Sequence, residues 1–147
     1  MRLKVILATA LVAVAFQPVF AAGGFGIGRI KKVTGTAVVE RAGAKLPVKP
    51  GFVLEKGDTL VTSKGGRVGV TFNDNTRFAA GPNSRVSIPE FEFDDTTHQG
   101  QFTANVDKGA VAIISGLIAH SKKDAMKVRT PSALLGVRGT RFVVEVN

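Results

Sequence analysis

The chain has 147 residues, with 20 Lys and Arg against 11 Asp and Glu, 2 His and no Cys. Without cysteine there can be no disulfides, so burial and hydrogen bonding must hold any fold unaided. The basic balance is the kind that suits polyanions, but the charges are spread along the chain as solubility alone would have them, and the cluster from Lys122 to Arg129 has no Tyr, Trp or nearby Phe to stack on bases, which argues against nucleic acid as a partner.

Arg2 and Lys4 form a basic start, followed by an apolar run from Val5 to Phe16, then Gln17-Pro18 and Val19-Phe20-Ala21. This layout predicts a secretory signal peptide at residues 1–21, cut after Ala21. The run is short against the roughly 20 residues that a spanning helix needs. No cysteine follows the cleavage site, which excludes a lipoprotein. The longest later apolar run, Ala110 to Ala119, is broken by Ser115 and Gly116, so no membrane span is expected after cleavage and the mature chain is expected in the periplasm. Two of the 20 basic residues lie in the leader, and 18 against 11 acids leaves +7 on a mature chain of 126 residues. That is enough for one domain with a modest core.

Residues 22–28, AGGFGIG, read as a flexible glycine-rich arm. From residue 29 onward, short apolar runs alternate with turn signals. Val68, Val70 and Phe72 share one face of a strand, with Arg67, Gly69 and Thr71 on the other. Val86 with Ile88, and Phe102 with Ala104 and Val106, repeat the pattern. At the end Thr140, Phe142, Val144 and Val146 face one way, and Arg141, Val143 and Glu145 the other. RAGAK (41–45), KGG (64–66) and NDN (73–75) supply residues that tolerate the backbone of tight turns. About ten short strands are expected, with at most a helical turn in 116–126. The predicted fold is a single all-β domain over residues 29–147, a coiled β-roll or β-sandwich.

Catalytic patterns are sparse. Ser115 has Ile113 where a nucleophile elbow needs Gly, and neither a phosphate-cradling loop nor a zinc-binding HExxH is present. His120 reads as a strand-end or loop residue. In PEFEFDDTTH (89–98), Glu90, Glu92 and Asp94 would share a strand face opposite Phe91 and Phe93. With Asp95 and His98 they are candidate ligands for a divalent cation, or else a polar strand face running into a solvated loop. Glu90 and Glu92 would sit roughly 7 Å apart, which falls within the range of glycosidase carboxyl pairs, but no cleft is evident. Lys122, Lys123, Lys127 and Arg129 read as a solvated face.

The closing stretch TPSALLGVRGTRFVVEV (130–146) reads as a structural clasp. Pro131 holds Thr130 extended, Ala133, Leu134 and Leu135 are expected to be tucked in, and Arg138, between Gly136 and Gly139, would lay its guanidinium across backbone carbonyls. The same stretch resembles the TP-x-A-x-x-x-VRGT-x-F signature that ends the FecR domain family, here Thr130, Pro131, Gly136, Arg138, Gly139, Thr140 and Phe142. Residues 54–88 resemble its GD-x-L-x-T, G-R-x-x-x-x-F, N/D-x-T and P-x-S sequence through Gly57, Asp58, Leu60, Thr62, Gly66, Arg67, Phe72, Asp74, Thr76, Pro82 and Ser84. Residues 106–116 resemble the family's L-x-x-G-x-V-x-V segment. Asn75 stands at a hairpin position where the family usually has Gly.

The resemblance implies an exported all-β domain of the kind that binds an envelope protein. It does not carry over the cytoplasmic helical segment and membrane helix of family regulators, because a cleavable signal occupies their place. The expected function is a non-enzymatic interaction module that binds an envelope protein or polymer, in signalling or envelope assembly, without a cofactor. The alternative is a domain that senses a small ligand or metal ion.

Overall fold

In the computed structural model, which describes residues 25–147, the chain forms twelve strands and one short helix. The leader read at residues 1–21, and the start of the glycine-rich stretch, lie outside the described residues. The strands are β1 (Gly26–Thr34), β2 (Ala37–Arg41), β3 (Ala44–Pro47), β4 (Val53–Glu55), β5 (Thr59–Thr62), β6 (Arg67–Phe72), β7 (Arg77–Ala80), β8 (Arg85–Phe93), β9 (Gly100–Ile114), β10 (Met126–Arg129), β11 (Leu134–Val137) and β12 (Arg141–Val146), with helix α1 (Leu117–Ser121) between β9 and β10. The all-β expectation holds. The strands are more numerous than ten, and β9, at 15 residues, is not short.

The length of β9 makes the architecture. Its second half pairs β7 and β12 in one sheet, ordered β4-β1-β6-β7-β9-β12. Its first half pairs β8 and β10 in the other, ordered β3-β2-β5-β8-β9-β10-β11. The strand passes from one sheet to the other at Gly109, whose φ of 86° lies where an L side chain is strained. A Cβ at this glycine would also collide with Ser84. All pairings are antiparallel except β9 with β10, where α1 carries the chain back so that Met126 lies beside Phe102.

The alternating residues face inward as their period dictates. Val68, Val70, Phe72, Val86, Ile88, Phe102, Ala104 and Val106 are all buried. Four phenylalanines join the two sheets: Phe72 and Phe78 from the first, Phe91 and Phe102 from the second. Phe72 meets Phe102 edge-on at 4.7 Å between ring centroids, and Phe78 stacks on Phe102 at 5.5 Å. The space enclosed by Leu54, Leu60, Val70, Phe78 and Val86 is only about 10 Å³, too little for an organic ligand.

Three sequence expectations are corrected. The glycine-rich stretch is no loose arm from Gly26 onward, because β1 starts there and Ile27 is buried between β4 and β6 neighbours. In β8 a register irregularity between Ser87 and Glu90 turns both Ile88 and Phe91 inward, three residues apart, which strict alternation does not anticipate. Ala133, Leu134 and Leu135 are not tucked in: all three are exposed, the leucines at 60% and 39%, since β11 pairs only with β10 and buries Val137 alone of its four residues.

The bend at Gly109 yields a test. Gly109→Ala should cost at least about 1 kcal/mol from the backbone conformation alone, more with the Ser84 collision, seen as a lower urea midpoint at unchanged slope. A variant as stable as the parent would show that β9 does not need this bend.

Candidate functional site

Asp58, Thr62, Asp74, Thr76 and Ser84, five of the residues that carry the family resemblance, are buried in three polar clusters. In the first, Gly57 turns the chain so that Asp58, 2% exposed, faces Arg41 on β2. The guanidinium donates to both carboxylate oxygens, Nε to Oδ1 at 2.8 Å and Nη2 to Oδ2 at 2.7 Å, a two-pronged pairing. It also donates to Glu55 Oε1 at 2.8 Å and the Val53 carbonyl at 3.0 Å, while the Glu55 amide donates to Asp58 Oδ2 at 2.8 Å. The ring of Phe52 lies under the guanidinium, 5.5 Å from its centroid. Hydrogen bonding to Asp58, foremost, holds the Arg41 pKa above its ordinary value. Sequence reasoning found Asp58 but took Arg41 only as a turn residue, because the two are 17 positions apart.

In the second cluster Asp74 and Thr76 are fully buried. Thr76 donates its amide to Asp74 Oδ1 at 3.0 Å and its hydroxyl to Oδ2 at 2.7 Å, and its Oγ1 accepts the Gly116 amide at 3.0 Å. The Leu117 amide donates to the Asp74 carbonyl at 2.8 Å, and the Ile118 amide to its Oδ2 at 3.3 Å. The turn after β6 thus receives the first amides of α1, which otherwise have no partner. Gly116 has no side chain because one would run into the backbone of Asp74 and Thr76. In the third cluster the Thr62 hydroxyl donates to the Gly81 carbonyl at 2.6 Å and accepts the Ser84 amide at 2.9 Å. Ser84 Oγ points at the carbonyls of Pro82 and Ala110, 3.4 and 3.3 Å away. Gly66 is buried at the β5–β6 turn, its amide donating to the Ser63 carbonyl at 2.9 Å. Arg67, next to it on β6, is exposed.

The closing stretch is a clasp, but not the expected one. Arg138 is exposed and its guanidinium has no hydrogen-bond partner among the described residues, which corrects its assigned role. Ser115 and Thr140 make the fastening instead: the Thr140 amide donates to Ser115 Oγ at 2.9 Å, and the Ser115 amide and hydroxyl donate to the Thr140 carbonyl at 3.1 Å. Thr130 closes the β10–β11 turn around Pro131, exchanging bonds with Ala133. Gly136 pairs with Lys127, and Phe142 pairs with the buried Ile113. His120 Nδ1 lies 2.6 Å from the Gly116 carbonyl, so it is the protonated ring nitrogen, since a carbonyl can only accept. Its Nε2 edge fills the space beside Gly139.

The acidic stretch does not converge. Glu90 accepts from Thr103 Oγ1 at 2.9 Å, and Glu92 lies 3.8 Å from Lys56 Nζ, both groups well exposed. Asp94 accepts the amides of Thr96 and Thr97 at 2.9 and 3.1 Å, which lower its pKa, Thr97 most strongly. Asp95 receives the Thr96 hydroxyl at 3.4 Å, and His98 stacks on Phe93 at 6.4 Å. Among the described residues no three His, Asp or Glu side chains come together as metal ligands. Of the two readings of Glu90, Glu92, Asp94, Asp95 and His98, the geometry fits the polar strand running into a self-capped hairpin tip.

Where the signature clusters leave an opening is at the strand edges. Among the described residues the edge strands are β3, β4, β11 and β12. β3 carries Lys45 and Pro47, β4 has three residues with the Val53 carbonyl already covered by Arg41, and β12 carries Arg141 and Glu145, all features that discourage pairing with another chain. β11 reads Leu-Leu-Gly-Val, with no charge and no proline. Among the described residues no helix is long and apolar enough to cross a membrane.

Two sheets sharing a strand, with buried polar residues tying their turns, define an all-β domain whose signature serves the fold. The chain belongs to the FecR protein family, whose model matches residues 58–147, from the buried Asp58 through β12. A solved structure described as a cell surface anchoring domain is 32% identical over 44% of this chain and 86% of that chain, with a TM-score of 0.42. No curated protein matches.

Two outcomes test this assignment of roles. Asp58→Ala, which strands Arg41 without its partner, should cost about 3 kcal/mol, whereas Arg138→Ala should change stability by less than about 0.5 kcal/mol, both from urea unfolding. Asp94 has its folded pKa below that of the unfolded chain, so its contribution is complete above an ordinary Asp value of about 3.9 and fades as pH falls below it. Asp94→Ala should therefore flatten the acid limb of the stability profile in that range and leave the slope near neutrality unchanged.

Proposed function

We propose that this chain is a non-enzymatic interaction module of the cell envelope, which binds an extended segment of a partner protein by strand addition at β11. The observation that carries it is an unprotected edge with Leu134 60% and Leu135 39% exposed, in a chain whose other edges are short, charged or broken by proline. The interior polar groups support a binding role over a chemical one, because Asp58, Asp74, Thr76 and Ser84 are all engaged with turns of the fold. Membership in the FecR family and the leader read at residues 1–21 support the envelope as its place. A partner strand would gain main-chain hydrogen bonds along β11 and apolar contact with its two leucines, both already held in extended form.

A photoreactive residue at Leu134 should give a discrete protein adduct in intact envelopes, and the same probe at Lys45 on β3 should not. Excess parent chain should compete the adduct away, and a Leu134→Lys Leu135→Lys chain should not. Equal competition by that variant would remove the edge from the reading. An adduct that proves to be a dimer of the chain itself would assign β11 to self-association.

A further inference from the structure

The outer face of the β4-β1-β6-β7-β9-β12 sheet carries an arrangement that the strand registers make explicit. Arg29 pairs with Thr71, Thr71 with Arg77, Arg77 with Ile114, and Ile114 with Arg141. Three arginines therefore stand in one row perpendicular to the strands, on β1, β7 and β12, each two strands from the next. At about 4.8 Å between strands, they are spaced by about 10 Å and span about 19 Å. All three are exposed. None makes an ion pair among the described residues; Arg29 has only a 3.5 Å approach to the Gly51 carbonyl.

One pleat away runs a second row of different character: Lys32, Gly69, Ala79, Ala112 and Val143, again paired across successive strands. Its middle is Gly-Ala-Ala, so the sheet is nearly bare there. A groove of about 490 Å³ lies over Gly69 and Ala79, with Lys32 and Arg67 on its walls. Among the outward residues of β1, β6, β7, β9 and β12 that form these rows and the next, only Glu145, on the edge strand, is acidic.

We propose that this face binds an anionic polysaccharide, laid across the strands with its sugar rings on the Gly-Ala floor and its carboxylates on the arginine row. Evenly spaced guanidiniums suit a polymer with a repeating charge, because each donates two N–H bonds to a carboxylate and the repeats bind together. A peptide finds neither a deep pocket for its side chains nor free main-chain groups here, since the sheet already pairs them. A membrane surface would need apolar or aromatic side chains to insert, and the one large exposed apolar residue on the face is Val143. The site is separate from β11, which belongs to the other sheet, so it does not rest on the strand-addition reading.

The test is binding of the exported chain to polygalacturonate, with dextran of equal length, phosphatidylglycerol vesicles and the Leu134→Lys Leu135→Lys variant in parallel. Polygalacturonate should bind and weaken with salt, dextran should not bind, and the leucine variant should bind as the parent does. Arg77→Ser Arg141→Ser should lower affinity at least about tenfold, since two charge-assisted pairings are lost. Lys45→Ser Lys49→Ser, which removes the same charge elsewhere, should change it less than about twofold. Ala79→Glu, which puts a carboxylate on the groove floor without removing a cation, should reproduce the arginine loss at an unchanged melting temperature. The proposal is overturned if polygalacturonate binds no better than dextran, if the lysine pair matters as much as the arginine pair, or if vesicles bind as tightly as the polysaccharide.

Discussion

Everything in this fold depends on one strand serving two sheets. β9 does so by bending at Gly109, whose positive φ strains an L side chain and whose missing Cβ leaves room for Ser84. Once the strand bends, its inward residues before and after the glycine, Phe102, Val106, Val111 and Ile113, all line the same interior and are fully buried. The four-phenylalanine cluster then joins sheets that no other strand connects, since β6 and β7 lie on one side and β8 on the other.

The buried polar residues follow from the same geometry. A sandwich of short strands has many tight turns, and turn backbone enclosed by neighbouring elements needs hydrogen-bond partners. Asp58, Asp74, Thr62 and Ser84 supply them from side chains: Asp58 joins its turn to β2, Asp74 to α1 and Ser84 to β9, while Thr62 ties the end of β5 to the β7–β8 turn. Residues with the look of chemistry, a buried aspartate beside an arginine or a threonine beside an aspartate, are thereby engaged with turns of the fold. Their unlike partners are close because the turns must close. What the fold leaves outside is an edge strand without charge or proline, and a sheet face whose arginines make no ion pair among the described residues.

The family signature marks the fold more than the binding. Arg41, the counter-ion of Asp58, lies before the segment that the family model covers, on a strand that belongs to the same sheet as β5. The outward arginines Arg29, Arg77 and Arg141 are not signature positions either, and they form a row only through the registers of four strand pairings. Surface character of this kind is carried by the residues that the core does not constrain.

Period-two alternation was enough to place Val68, Val70, Phe72, Val86, Phe102 and Val106 inside, because which face a side chain takes is decided within its own strand. Turn residues were equally legible: Asn75 has a φ of 67°, as a glycine-like position requires. What no local pattern contained was who lies beside whom. Leu134 and Leu135 looked like core because they are apolar, yet β11 ended on an edge; Glu90 to His98 could be read as ligands or as a polar strand and loop, and each group found its own neighbour; Arg138 looked like a hook, yet Ser115 took that place. Lateral position in a sheet depends on pairings between segments dozens of residues apart, settled by the bend at Gly109 and the closing of two layers. The chain by itself determined the strands, their faces and many of their turns; only the tertiary structure decided which edge stays open and which cations align, because those are properties of neighbouring strands and not of any one strand.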